Sequence, residues 1–169
     1  MAIINLLVDA LSGKESAGHS RKFFRDNAGA VLIGGTVLLS LFGGMGGLAI
    51  DGSHFYMTNH RAELAAEAAA EAAVSSLQDR DHAVASAIAA AEQQLPVAEY
   101  GNVLDASDIV AGHWDAVEQR FDAGSEPANA VRVTIRMDAN NGNAVLLEFA
   151  SMFGDFDASI IASSVAVAE

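Results

Sequence analysis

The chain contains no cysteine among its 169 residues. That excludes disulfide frameworks, thiolate metal sites and cysteine nucleophiles together, and leaves the redox compartment open. Basic residues are also scarce. Nine Lys and Arg stand against 22 Asp and Glu, for a formal net charge of -13. Most modes of nucleic-acid binding need a basic face to neutralise phosphates, so no nucleic-acid partner is expected. Aromatic residues make up 7% of a chain that is 51% hydrophobic, so alanine and small aliphatics carry much of the apolar content. Proline occurs only at Pro96 and Pro127. With 18% charged residues and a positive mean hydropathy, this is not a disordered polyelectrolyte. The length fits one ordinary domain.

The charges are unevenly placed. Residues 1–27 sum to +1, with Lys14, Arg21, Lys22 and Arg25 against Asp9, Glu15 and Asp26. Residues 51–169 sum to -14. Between them, Ala28 to Ile50 is a run of 23 positions without a charge. As a helix it would extend roughly 34 Å, enough to cross a bilayer core. Lipid offers no partner for backbone N–H and C=O groups, so the span must be helical. The run is longer than a signal-peptide core, and Leu48-Ala49-Ile50-Asp51 is a poor cleavage site, so the span is expected to be retained. The basic cluster Arg21-Lys22-Phe23-Phe24-Arg25 predicts a cytoplasmic N-terminus, with residues 51–169 outside. In a Gram-negative cell that outside is the periplasm.

Gly34, Gly35, Gly43, Gly44, Gly46 and Gly47 fall inside the span. Gly43 and Gly47 form a GxxxG pair, and Ser40 with Gly44 continues the small-residue pattern. Such residues let two helices approach closely in lipid, so this face is a candidate helix–helix interface. Glycine is also simply common in membrane spans. Four glycines in positions 43–47 lower helix propensity, and a bend or local unwinding is expected there.

From His54 to Gln94 there is neither Pro nor Gly, and alanine fills eight of the twelve positions 62–73. Alanine is the best helix former. Glu63, Glu67 and Glu71 recur at four-residue spacing, which reads as a solvated helix face. Ala62, Ala65, Ala66, Ala69 and Ala73 are candidates for packing against neighbouring subunits, because small side chains permit close approach. Asp51 either continues the helix or marks its return to water. Gln78-Asp79-Arg80-Asp81-His82 is the expected break, with Asp79 or Asp81 capping a second helix from Ala83 to Gln94. Val74, Leu77, Val84, Ile88 and Leu95 also fit one stripe through the cluster, so an unbroken helix stays open. Leu95-Pro96 ends the helical region in either case.

The last third changes period. Val131, Val133, Ile135 and Met137 alternate with Arg132, Thr134 and Arg136, the signature of a strand with one buried face. Val131, Val133 and Ile135 are its candidate core residues, and Arg136 on the opposite face is expected to matter little to stability. Asp138 to Asn143 reads as a turn, since it lacks the alternating ligands and terminal Glu of a calcium loop. Ile109 to Trp114 and Ala116 to Phe121 suggest a hairpin around Asp115. Val145 to Phe153 suggests a short helix capping the core through Phe149 and Phe153. Ala158 to Ala168 reads as a strand.

Little in the sequence points to catalysis. His19, His54, His60, His82 and His113 are scattered, without the spacing of a helical zinc motif. His113-Trp114-Asp115 is the most suggestive cluster, and it reads best as a strand-edge Trp in a small core. The glycine-rich stretch follows no strand and precedes no Lys-Ser/Thr, so it is not a phosphate loop. No nucleophile elbow is present. No catalytic residue, metal or cofactor is expected.

The order of parts resembles a known family. Phe-Phe-Arg-Asp-Asn-Ala-Gly-Ala leads into the span, which ends Gly-Leu-Ala-Ile-Asp and continues as Phe-Tyr-Met-Thr-Asn-His-Arg-Ala-Glu-Leu-Ala-Ala-Glu-Ala-Ala-Ala. Gly112-His113-Trp114-Asp115 and Asn129-Ala130-Val131-Arg132-Val133-Thr134 follow. From about Arg21 to Ala168 this looks like the TadE/TadG-like family of Flp (Tad) pilus assembly proteins, closest to the TadG-like N-terminal region. Longer members carry a von Willebrand A-type domain, for which this chain is too short, so the adhesive metal-site role of that domain is not carried over. Prepilin processing after Gly29 would put Gly34 where the family of processed pilins wants Glu.

The expectation is therefore an α+β, membrane-anchored, pilin-like protein. A cytoplasmic segment (1–27), a transmembrane helix (28–50), an Ala-rich helical region (51–95) and a small, mostly antiparallel β-rich domain (96–169) follow in order. The resemblance implies a non-enzymatic component of a Flp/Tad-type pilus system, an assembly factor or minor pilin-like subunit linked to cell adhesion. Its partners would be other pilus-system membrane proteins, copies of itself and inner-membrane lipid. Two alternatives remain: a self-polymerising subunit of an extracellular filament, and a membrane-anchored periplasmic binding module.

Overall fold

The computed structural model describes residues 27–168. The basic cluster at Arg21–Arg25, and with it the reading of orientation, lies outside the described residues. The chain divides into two compact units, Met1–Gly47 and Leu48–Glu169.

Helix α1 runs Asn27–Val74. Within the first unit it exposes Val31, Leu32, Val37, Leu38, Leu39, Leu41, Phe42 and Met45. No break occurs at positions 43–47, contrary to the expected unwinding. Glycine lowers propensity but keeps both backbone hydrogen-bonding groups, so the helical ladder can pass through it.

In the second unit α1 enters a folded α+β domain and ends at Val74. A tight turn follows, with the Ser76, Leu77 and Asp79 amides donating to the carbonyls of Ala73, Val74 and Ser76. The Asp79 carboxylate then accepts from the His82 amide at 3.1 Å and caps α2, Arg80–Gln94. The break thus falls slightly before the expected cluster. Asp81 sits in the first turn of α2, where a negative charge opposes the helix dipole favourably. Pro96 cannot continue the helix, and the short α3, Val97–Tyr100, follows it.

The main sheet contains β1 (Ile109–Asp115), β2 (Arg120–Ala123), β3 (Ala130–Met137) and β6 (Ile160–Val167). Its order is β2-β1-β3-β6, and every pairing is antiparallel. A separate ribbon pairs β4, Val145–Leu146, with β5, Asp157–Ala158. Strand β2 begins later than the expected Ala116. The Asp115 carboxylate accepts from the amides of Val117 (2.8 Å) and Glu118 (3.0 Å), which curls residues 116–119 into a turn. The segment after Val145 also differs from expectation. Only Ala150–Met152 makes a single helical turn. Phe149 and Phe153 do meet edge to face, 5.6 Å apart, but Phe153 is exposed and does not cap the core. The 138–143 segment is a turn: Asp138 accepts from the Asn141 amide, and Gly142 takes a φ of 68°, a left-handed conformation that glycine adopts freely.

One core joins these elements. Ala62, Ala65, Ala66, Ala69, Ala70 and Ala73 of α1 pack with Ala83, Ala87 and Ala91 of α2, and with Val131, Val133 and Ile135 of β3. The α1 alanines are essentially without solvent contact inside this chain. They therefore do not form the subunit-packing surface offered by the sequence; the chain's own sheet and second helix occupy that face. Glu63, Glu67 and Glu71 lie on the exposed side.

Candidate functional site

Three polar anchorages hold the second unit together, and each falls on a motif of the sequence. The first is Asp51. Its side chain is buried, and its two oxygens accept from the backbone amides of Phe149 (3.0 Å) and Ala150 (2.8 Å). A carboxylate loses hydration on burial, and charge-assisted bonds to two donors compensate for that loss. Asp51 thus stays in the helix and clasps a segment 98 residues away. The only local signal for it is an acid placed immediately after a long uncharged run.

The second anchorage is Asn129, which joins two of the resembling motifs. Strand β1 pairs with β3 as far as Gly112 opposite Ala130, and beyond that point only with β2. The Asn129 side chain replaces the missing strand: its oxygen accepts from the Trp114 amide at 2.6 Å and its amide group donates to the Trp114 carbonyl at 3.3 Å. Its backbone amide donates to the Gly112 carbonyl at 3.0 Å. Gly112 has to lack a side chain, since a Cβ there would run into the Asp122 carbonyl and come within 2.8 Å of the Phe121 ring. His113 and Trp114 belong to this strand junction.

The third is Arg136, whose guanidinium donates to the Asp108 carboxylate at 2.7 Å. That bond raises the arginine's pKa further and ties the turn before β1 to β3. Arg136 therefore has a structural partner, which the alternation alone did not reveal. Arg132, on the same outer face, lies over the Phe121 ring at 5.0 Å. Arg61 donates to the Tyr100 hydroxyl at 2.7 Å. Burial, followed by the hydrogen bond with Glu99, raises the Tyr100 pKa despite the arginine.

Among the described residues no group of three or more His, Cys, Asp or Glu could hold a metal ion. A groove of about 860 Å³ is lined by Gln78, Asp79, His82, Glu126 and Asn129 among others. Its carboxylates have local duties: Asp79 caps α2, and Glu126 accepts from the Ala128 amide. Every buried side-chain polar atom among the described residues has a partner.

The candidate helix–helix interface residues sit on the first part of α1. Ser40 and Gly43 are exposed, Gly44 is half-buried and Gly47 is buried. A Cβ at Gly43 or Gly44 would meet nothing within 4 Å. Among the described residues, one helix is long and apolar enough to cross a membrane.

These features define a class: an apolar helix continuing into an α+β domain that is fastened by side-chain clasps. The chain belongs to the Tad_C family of Tad-like Flp pilus-assembly proteins, whose model matches residues 49–166. The matched stretch starts two residues before Asp51 and takes in all three anchorages. Membership connects the protein to Flp/Tad pilus assembly. No curated protein and no solved structure shows significant similarity to it.

Proposed function

We propose that the protein is a non-enzymatic, single-pass component of a Flp/Tad-type pilus apparatus, an assembly factor or minor pilin-like subunit held in the inner membrane. The observation carrying this reading is the junction at residues 49–51. There an uncharged helix with outward apolar side chains meets Asp51, the first clasp of a Tad-family domain. Residues 28–50 span the bilayer, the N-terminal segment is cytoplasmic and the acidic domain from Asp51 onward is periplasmic. The exposed face of Ser40 and Gly43, with half-buried Gly44 beside it, meets another helix, from a second copy or from another pilus-system membrane protein, while Gly47 is buried within the chain and takes no part.

The absence of cysteine makes topology directly testable. Val117, exposed on the β1–β2 turn, and Ser16 in the N-terminal segment can each be replaced by a single cysteine. In intact spheroplasts, a membrane-impermeant maleimide should label V117C and spare S16C. The reverse pattern overturns the topology. Recovery of the protein in sheared surface fibres, with a mature terminus at Ala30, supports the filament alternative instead.

A further inference from the structure

The end of β4 and the segment leading to β5 expose Leu146, Met152, Phe153 and Phe156, with Met152 and Phe153 about three-quarters exposed. These are large apolar side chains in an otherwise acidic domain. The core does not use them, and their position is constrained. The Asp51 carboxylate holds the amides of Phe149 and Ala150, so the segment is fastened beside the residue where the uncharged run of α1 ends. Leu48 and Ile50, just before Asp51, expose apolar side chains as well. Exposed apolar side chains thus stand both at the end of the run and on the segment tethered to Asp51.

From this the geometry points to a second membrane contact: residues 146–156 insert Met152, Phe153 and Phe156 into the interfacial zone of the bilayer that α1 crosses. This rests on the membrane-spanning reading of α1. A helical run of 23 residues extends roughly 34 Å against a hydrocarbon core of about 30 Å, so Ile50 and Asp51 reach headgroup level. What is clasped to Asp51 is brought to the same level. Immersion further requires that backbone donors be satisfied within the protein. The Leu147 amide donates to the Phe156 carbonyl, and the amides of Ser151, Met152 and Phe153 donate to the carbonyls of Leu147, Phe149 and Ala150. With the two amides held by Asp51, every amide from Phe149 to Phe153 has an acceptor within the protein. The segment has no Lys or Arg, and it carries Glu148 and Asp155, with Asp157 directly after it. The attraction is therefore apolar, and a zwitterionic surface suits it better than an anionic one.

Spin labels on single cysteines test this in the full chain, reconstituted in zwitterionic nanodiscs. Labels at M152C and F153C are compared with V37C inside the span and V117C on the exposed turn. Collision with oxygen and exclusion of a water-soluble nickel complex report lipid. Both segment labels should show an oxygen-to-nickel ratio several-fold above V117C and approaching V37C, with a smaller rise when anionic lipid is added. Labels at 152 and 153 that behave like V117C overturn the contact while leaving the span intact. Labels shielded from both reagents overturn it in favour of a protein neighbour. A V37C label open to nickel shows that the span reading itself fails, and the contact falls with it.

Discussion

At the scale of single residues, the side chains that matter most are polar ones fixing backbone at a distance. Asp51 is the clearest case. Asp51→Ala would leave the Phe149 and Ala150 amides without their acceptor and should cost about 1–3 kcal/mol. Chemical unfolding of the full chain in detergent measures this, and unchanged stability would show that the clasp contributes nothing net. Asp115 gives a pH-dependent counterpart. The bonds from the Glu118 amide, then the Val117 amide, lower its pKa. A lowered native pKa means that the folded state prefers the ionised form. The stabilisation is complete above the unfolded value of about 3.9 and is lost as pH falls through the native one. Asp115→Asn keeps an acceptor oxygen but cannot titrate. Its stability should therefore vary less than the parent's between neutral pH and pH values below about 4. Parallel pH profiles from the two would remove this account of the turn.

Among the elements, the contrast lies between the two faces of α1 and of β3. Ala69 is fully buried, whereas Glu67 is exposed. Ala69→Leu forces extra methylenes into a closed helix–sheet contact and should cost about 1–3 kcal/mol, while Glu67→Leu should change stability little. Equal melting temperatures for the two would mean that the alanine face is not internal. Val133 is likewise buried at the centre of β3. Val133→Asp should cost several kcal/mol by placing an unpaired carboxylate there. Arg136→Ala should cost about 1 kcal/mol or less: it breaks the Asp108 bond, but the arginine is half-exposed and solvent screens the pair. The same unfolding assay ranks them, and a smaller loss for Val133→Asp than for Arg136→Ala would contradict the assigned faces.

For the whole molecule, the issue is which surfaces remain for partners once the chain has packed against itself. The alanines of α1 are taken up internally, so the helix–helix contact proposed in the membrane rests on Ser40, Gly43 and Gly44. Ser40→Leu with Gly43→Leu, both at exposed positions, removes the close approach and adds hydrophobicity. Insertion should be retained and crosslinked complexes should weaken. Complexes of unchanged size would count against a contact on this face.

The sequence by itself determined the elements whose cause is local. The charge-free run and the alanine content specify α1, Pro96 closes the helical region, and alternation specifies β3 and its buried face. The spacing of motifs was enough to place the chain in its family. Tertiary structure decided what those elements meet. Small alanines suit a neighbouring subunit and the chain's own sheet equally well, and only the folded domain shows Val131, Val133 and Ile135 covering them. Asp51 reads as a lone acid at the end of an apolar run until Phe149 and Ala150 arrive from 98 and 99 residues away. The Asn129 side chain reads as an ordinary loop amide until β1 outruns β3 and leaves the Trp114 backbone in need of partners. Periodicity reports which face of an element is apolar, whereas the partner of a buried polar group is chosen by the path of the whole chain.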